Sequence, residues 1–441
     1  MKKLHKKDIL IMGGALFSMH FGAGCMIYPM TWGKESGSAV YVAYLGVFLS
    51  GILLTFLGYT ALSRGKDTFW GLTKQITPKF GTFFCAVIVL LVGPLYIIPR
   101  MSASAWEAIE QLLGKDLGKT EILFHLAIFA VIFWFVVGKV RVTDKIGKIL
   151  TPVQLLIVLA VVIKGIATPV SAPIPAASYE QPPFVYGFLQ AYSTGDLQCA
   201  LLFGAVLISD LQKYGLEGKN VQKNLLSVGV VGLGLLALIH LGHMMVGARV
   251  GSSLPLRYAA LYAQVTVDLW GKPGGVLFAI ALVTAVLSCG VGLTASNTEY
   301  FAALLHQEKH TTGIVAVICA VSAAISCMGL TEIMALIGPL LDACFPSAIW
   351  LVTYYTFMPD YTRENRKRGL RWAMITAFVF GLLHMLYVYN GQYALGLSGF
   401  VSVYEKIPLA IYNFAWLPVS LLACAAGSLT GSHTKKAELS K

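Results

Sequence analysis

Apolar segments of about 20 residues recur from one end of this 441-residue chain to the other. In water such segments need a charged surface to cover them. A chain that is 57% hydrophobic and 12% charged cannot supply one. Inside hydrocarbon the same segments must be helices, because only a helix satisfies its own backbone there. A window of about 19 residues places some twelve of them, at 9–32, 38–62, 82–108, 121–138, 147–167, 185–211, 225–248, 273–302, 312–330, 335–358, 371–391 and 407–429. The chain reads as an all-α membrane protein. The apolar run after the first seven residues is too long for a cleaved signal and is expected to stay as span one.

The net charge of +12 fits this reading without nucleic acid. Most of the lysines and arginines fall on one side, among them Lys2, Lys3, Lys6, Lys7, Lys139, Arg141, Arg363, Arg366, Lys367, Arg368 and Arg371. By the positive-inside rule both termini are cytoplasmic. The loops are short apart from 168–183 and 251–272, and the second is expected to hold a short amphipathic helix around 256–269. The eight cysteines are scattered singly, which points to neither a disulfide framework nor a zinc site. No cofactor motif is present: a P-loop, a G-x-S-x-G and an H-E-x-x-H are all missing from the sequence.

Span one carries Gly22, Gly24 and Pro29 close together, beside His20 and Cys25. Glycine costs a helix interior about 1 kcal/mol and proline about 3. Two readings follow: a kinked helix packed closely through its glycines, or a broken helix whose freed backbone faces a cavity. Five spans later, Ser193, Thr194, Gly195 and Asp196 interrupt span six. Two interrupted spans at corresponding positions are the mark of an inverted-repeat transporter. Spans one to five would form one repeat (9–167), six to ten its inverted copy (185–358), and 371–429 two accessory helices. Together they make one transporter domain over 1–430, followed by a polar tail at 431–441.

Asp196 is the sharpest ionisable candidate. It either contacts substrate or caps the half-helix that begins there. Half-helix N-termini suit a carboxylate, and freed carbonyls suit sodium or an ammonium group. Ser288 and Cys289 are adjacent small polar residues on an otherwise apolar span eight, read either as ion contacts or as inter-helix packing. Arg100 and Glu107 share a helix face near the end of span three, where Pro99 would kink it. They form an outer gate or a buried structural pair. His20 adjoins the first break and could relay protons.

Six stretches resemble the branched-chain amino acid:cation symporters of bacteria, within the amino acid–polyamine–cation group. FGAGCMIYP resembles that family's FGAGNLIFP, and GPLYIIPRMSASAWE its GPLFAIPR stretch. IGKILTPVQLLIVLAVVIKG resembles span five, GFLQAYSTGDLQCALLFG the GYxTMDALA region, LSCGVGLTASNTEYF the LTTAVGLT region, and MGLTEIMALIGPLLDACFP the region around spans nine and ten. The resemblance implies the leucine-transporter fold, with a 5+5 inverted repeat and broken helices one and six. It implies sodium-coupled import of leucine, isoleucine or valine by alternating access. Phe21, Gly22, Ala23, Gly24 and Cys25, with Tyr192, Ser193, Thr194, Gly195 and Asp196, become the substrate contacts. Gly22, Ala23, Ser288 and Cys289 become the ion contacts. His20, Arg100 and Glu107 are the gating or proton candidates.

This chain departs from the family at Cys25 (usually Asn), Gly195 (Met), Gln198 (a small residue), Ser288–Cys289 (two threonines) and His20 (an aromatic). The departures cluster at the expected site and keep a proton-coupled or uncoupled permease for another small metabolite open as the alternative. A membrane sensor that binds without turnover is a further reading. It would show no saturable uptake.

Overall fold

The computed structural model describes residues 4–138, 142–173, 181–250 and 255–430, with the backbone alone described for 142–151 and Ser193. The tail 431–441, Lys2, Lys3, Lys139, Arg141 and the Ser193 side chain lie outside that description. Among the described residues there are helices and loops but no strand.

Among the described residues seven stretches are long and apolar enough to cross a membrane, and three shorter apolar helices accompany them. Large apolar side chains point outward from many of them, including Leu123, Leu238 and Leu422, each more than two-thirds exposed. A soluble protein would not tolerate so wide a set. Lipid is the solvent that accepts it, and the chain is a multi-pass membrane protein.

Span one is broken, not merely kinked. Its halves are Lys6–His20 and Ala23–Ser36, with Phe21 outside the helical region and Gly22 extended between them. Span six is broken into Pro183–Gln190, a single tight turn over Ala191–Thr194, and Asp196–Lys213. Gly195 joins the last two at φ +73°, a backbone conformation that side-chain-bearing residues avoid. The expected loop helix is present at Tyr258–Trp270.

Two expectations need correction. Span three (Pro78–Leu90 and Ile97–Leu113) does not kink at Pro99. It breaks at Leu91–Leu95, where Gly93 leaves the helical region and Pro94 lacks an N–H. Pro99 falls in the first turn of the following helix, where a missing N–H costs nothing. The last span does not run unbroken from 407. A turn at Ala410–Tyr412 precedes the helix Trp416–Leu429.

The two broken spans pack in the same manner. Span one lies along span seven (Lys219–Gly247), and span six lies along span two (Val40–Val47, Phe48–Leu53 and Leu54–Gly65). Both contacts are backbone against backbone. A side chain on Gly33 would collide with the Met244 carbonyl, and one on Gly247 with the Met30 carbonyl. Likewise a side chain on Gly46 would strike the Phe184 carbonyl, and one on Gly187 the Ala43 carbonyl. Span one against seven thus mirrors span six against two, the relation expected of an inverted repeat.

Gly187→Val should destabilise the protein by about 1–3 kcal/mol through overpacking, whereas Gly14→Val, with open space around it, should not. Thermal unfolding of the two variants in detergent checks this: equal midpoints would show that the close approach is not required.

Candidate functional site

The first half of span one ends with His20 in its last turn. The second half of span six begins with Asp196 in its first turn. The two side chains meet: His20 Nδ1 lies 2.9 Å from Asp196 Oδ1, and His20 Nε2 lies 2.8 Å from the Tyr59 hydroxyl of span two. Cys25, one turn beyond the first break, sends its thiol toward the same carboxylate, 3.5 Å from Oδ2. Asp196 is 3% exposed and His20 4%. Asp196 therefore does more than open its half-helix, because its side chain bridges the two breaks.

The second link comes from span three. Arg100 is 2% exposed, and its Nη2 donates to the Thr194 carbonyl at 2.9 Å. The Thr194 hydroxyl turns back to the Ala191 carbonyl. The guanidinium also lies over the rings of Tyr96 (4.4 Å) and Tyr28 (5.2 Å). A cation at this depth is tolerable only with such partners. Tyr192 stacks on Phe345 of span ten (Leu330–Phe357), with centroids 3.8 Å apart.

Arg100 and Glu107 do not form a pair. Glu107 accepts from the Ala260 amide at 3.1 Å, in the first turn of the loop helix. That helix is also tied to span one, where the Tyr258 amide donates to Thr31 and Lys34 donates to the Leu256 carbonyl. Arg257 pairs with Glu35 at 2.5 Å, and Tyr186 of span six donates to Glu35. Glu107 thus holds the cover over one end of the bundle, while Arg100 holds the break beneath it. Between them opens a cleft of about 660 Å³ whose lining includes Tyr96, Glu107, Tyr186, Arg257 and Asp342.

The glycines at the breaks face apolar side chains. A Cβ on Gly22 would lie 3.0 Å from Cys289 Sγ and 3.7 Å from Met101 Sδ. A Cβ on Gly195 would lie 2.6 Å from Ile97 Cδ1 and 3.6 Å from Leu341 Cδ2. Span eight (Lys272–Leu305) therefore reaches the first break through Cys289. Ser288 beside it is half-buried. Gln198 is fully buried, and neither atom of its amide has a partner among the described residues.

Sequence reasoning missed Tyr59, Tyr28, Tyr96 and the span-three break. Only Gly93–Pro94 carried a readable signal, a glycine and a proline together in mid-span.

Arg100→Met would leave the Thr194 carbonyl without its donor, a loss of about 1–3 kcal/mol for a buried polar group. Arg100→Lys, which keeps the charge, should recover part of it. Thermal unfolding in detergent reads both; a full recovery by methionine's bulk alone would remove the hydrogen bond from the argument.

The family described as branched-chain amino acid transport protein matches residues 5–434. The branched-chain amino acid permease BraB of Bacillus subtilis is 30% identical over 431 residues, covering 96% of this chain and 95% of its own. The branched-chain amino acid transport system 2 carrier protein of Pseudomonas aeruginosa is 31% identical, covering 94% of each. The permease BrnQ of Corynebacterium glutamicum is 29% identical over 99% of this chain and 98% of its own. Among solved structures, a nucleobase-cation-symport-1 family transporter in a closed conformation aligns with TM-score 0.57 at 12% identity, over 96% of this chain and 93% of its own. MhsT in complex with L-phenylalanine aligns at 0.50 and 14%, over 97% and 99%. These show the leucine-transporter fold, with its 5+5 inverted repeat and broken helices one and six. The chain is a transporter and not an enzyme, and it belongs to the branched-chain amino acid transport protein family.

Proposed function

We propose that this chain imports leucine, isoleucine and valine by sodium-coupled symport with alternating access. The observation that carries the substrate is the surroundings of the two breaks. Ile97, Met101 and Leu341 stand against Gly195 and Gly22, so an aliphatic side chain placed there meets apolar atoms. The amino acid's charged ends fit the breaks themselves. The N-terminal amides of Ala23–Ser36 and Asp196–Lys213 suit its carboxylate, and freed carbonyls suit its ammonium group. The unpartnered amide of Gln198, one turn inside the second half-helix, is available to the same polar groups. Size alone discriminates by only about 1–3 kcal/mol per methylene, so the three substrates should compete.

The cation belongs at the junction of span one with span eight. The backbone carbonyl oxygens of Gly22 and Ala23, beside the break, are hard ligands, and the Ser288 hydroxyl is another. The Cys289 thiol is a poor one. In this reading the repeats 9–167 and 185–358 move against one another around the fixed breaks, with both termini in the cytoplasm. The cleft lined by Glu107, Arg257 and Asp342 is the route of entry.

Proteoliposomes supplied with radiolabelled leucine test this directly. Uptake should rise with an inward sodium gradient and be competed by isoleucine and valine. Ser288→Ala should raise the sodium concentration for half-maximal rate severalfold. An unchanged value would remove Ser288 from the ion site.

A further inference from the structure

We propose that the cleft beside the loop helix is a binding site in its own right, for an aliphatic ammonium ion held by Asp342 of span ten. The inference rests on the cleft and the charges that line it. It depends neither on the coupling ion nor on which amino acid is moved.

At about 660 Å³ the cleft has the size of a small-molecule site. Its ionisable lining comes from span three (Glu107), the entry to the loop helix (Arg257), span ten (Asp342) and span eleven (His384, on Glu364–Tyr393). Three of these groups are engaged. Glu107 accepts from the Ala260 amide. Arg257 pairs with Glu35. His384 Nδ1 lies 3.1 Å from the Tyr404 hydroxyl. Asp342 differs. Its Oδ1 is buried with no hydrogen-bond partner among the described residues, and none of the ion pairs among them includes it.

Arg100 lies within electrostatic reach of Asp342 from below. Its guanidinium is directed elsewhere, to the Thr194 carbonyl and over the Tyr96 ring. A carboxylate oxygen left without a donor at this depth is costly. A ligand that brings a donor and a positive charge removes the cost.

The rest of the wall says what kind of cation fits. Leu256, Met334 and Val388 line the same cleft. A bare metal ion gains nothing from them and needs several more oxygens around it. A carbon chain that ends in an ammonium group uses both parts of the wall. Its three N–H donors serve the carboxylate, and its methylenes cover the apolar side chains. Tyr96 and Tyr258, also on the wall, are rings of the kind that attract an organic cation. With the Arg257 charge met by Glu35, the carboxylates of Glu107 and Asp342 set the sign of the cleft, which disfavours a ligand that is only an acid. The ammonium group has two sources, an incoming amino acid or an amine without a carboxylate, and their shared chemistry is what the site recognises.

Isothermal titration calorimetry on the full chain in detergent tests this, with isoamylamine, which is leucine without its carboxylate, as the probe. Isoamyl alcohol and isocaproate have a similar shape without the positive charge. The amine should bind and the other two should not. Asp342→Asn should weaken amine binding by about tenfold or more, and Asp342→Glu should recover part of it. Equal binding of amine and alcohol would overturn the site, as would unchanged amine affinity in Asp342→Asn; the three probes decide the matter even where that variant does not fold. Leucine uptake by wild-type proteoliposomes then separates the sources of a site so established. A raised KM at unchanged kcat with the amine present means that leucine's own ammonium group uses the site. A lowered kcat at unchanged KM means that the amine occupies it alone. Absence of leucine uptake would overturn the transport reading only, since the calorimetry needs no turnover.

Discussion

A helix broken at membrane depth strands backbone groups where no water reaches them, and each must find a partner inside the protein. Spans one, three and six are broken, and their breaks lie close together. The Thr194 carbonyl at the span-six break is met by Arg100, five residues past the end of the span-three break. Asp196, on the other side of the same break, is met by His20 at the end of the first half of span one. The Gly93 bend in span three is closed against Asn297 of span eight, where no side chain larger than hydrogen would fit. The irregular segments therefore partner one another, and the regular helices around them act as a casing.

That casing has to hold the half-helices rigidly, since short helices have little stability of their own. Backbone-to-backbone packing does this. Span seven runs beside both halves of span one, from Asn224, which accepts from the Leu4 amide, to Met244 against Gly33. Span two runs beside both halves of span six, and its own hydrogen-bonding register widens at Phe48–Leu53, where Gly51 passes Ala191 in the break. A π-type turn beside a break spreads the irregularity over two spans. Ser50 takes advantage of it, donating to the Phe188 carbonyl at 2.6 Å.

Much of this was legible in the sequence, and the physics explains which parts. Gly22 and Gly195 stand out because glycine in an apolar run is expensive unless the backbone needs it. Asp196 stands out because a carboxylate at this depth is expensive unless it has a partner. The partner itself was not legible: His20 and Asp196 are 176 residues apart, and Tyr59 joins them from a third span. Pro99 misled because proline was given weight without its position in the helix, whereas Pro94 acts through the glycine before it. Arg100 and Glu107 share a face, as their spacing required, but a shared face does not make a pair. One looks down to span six and the other up to the loop helix.

The departures from the family's usual residues make sense together once these contacts are known. Asparagine at position 25 would offer Asp196 an amide, a stronger donor than the thiol that stands 3.5 Å away. With cysteine there, His20 is the strong partner left. The break is still bridged, so the change of residue leaves the fold intact. The same pair holds spans one and six together, and any motion that separates those spans must also separate His20 from Asp196.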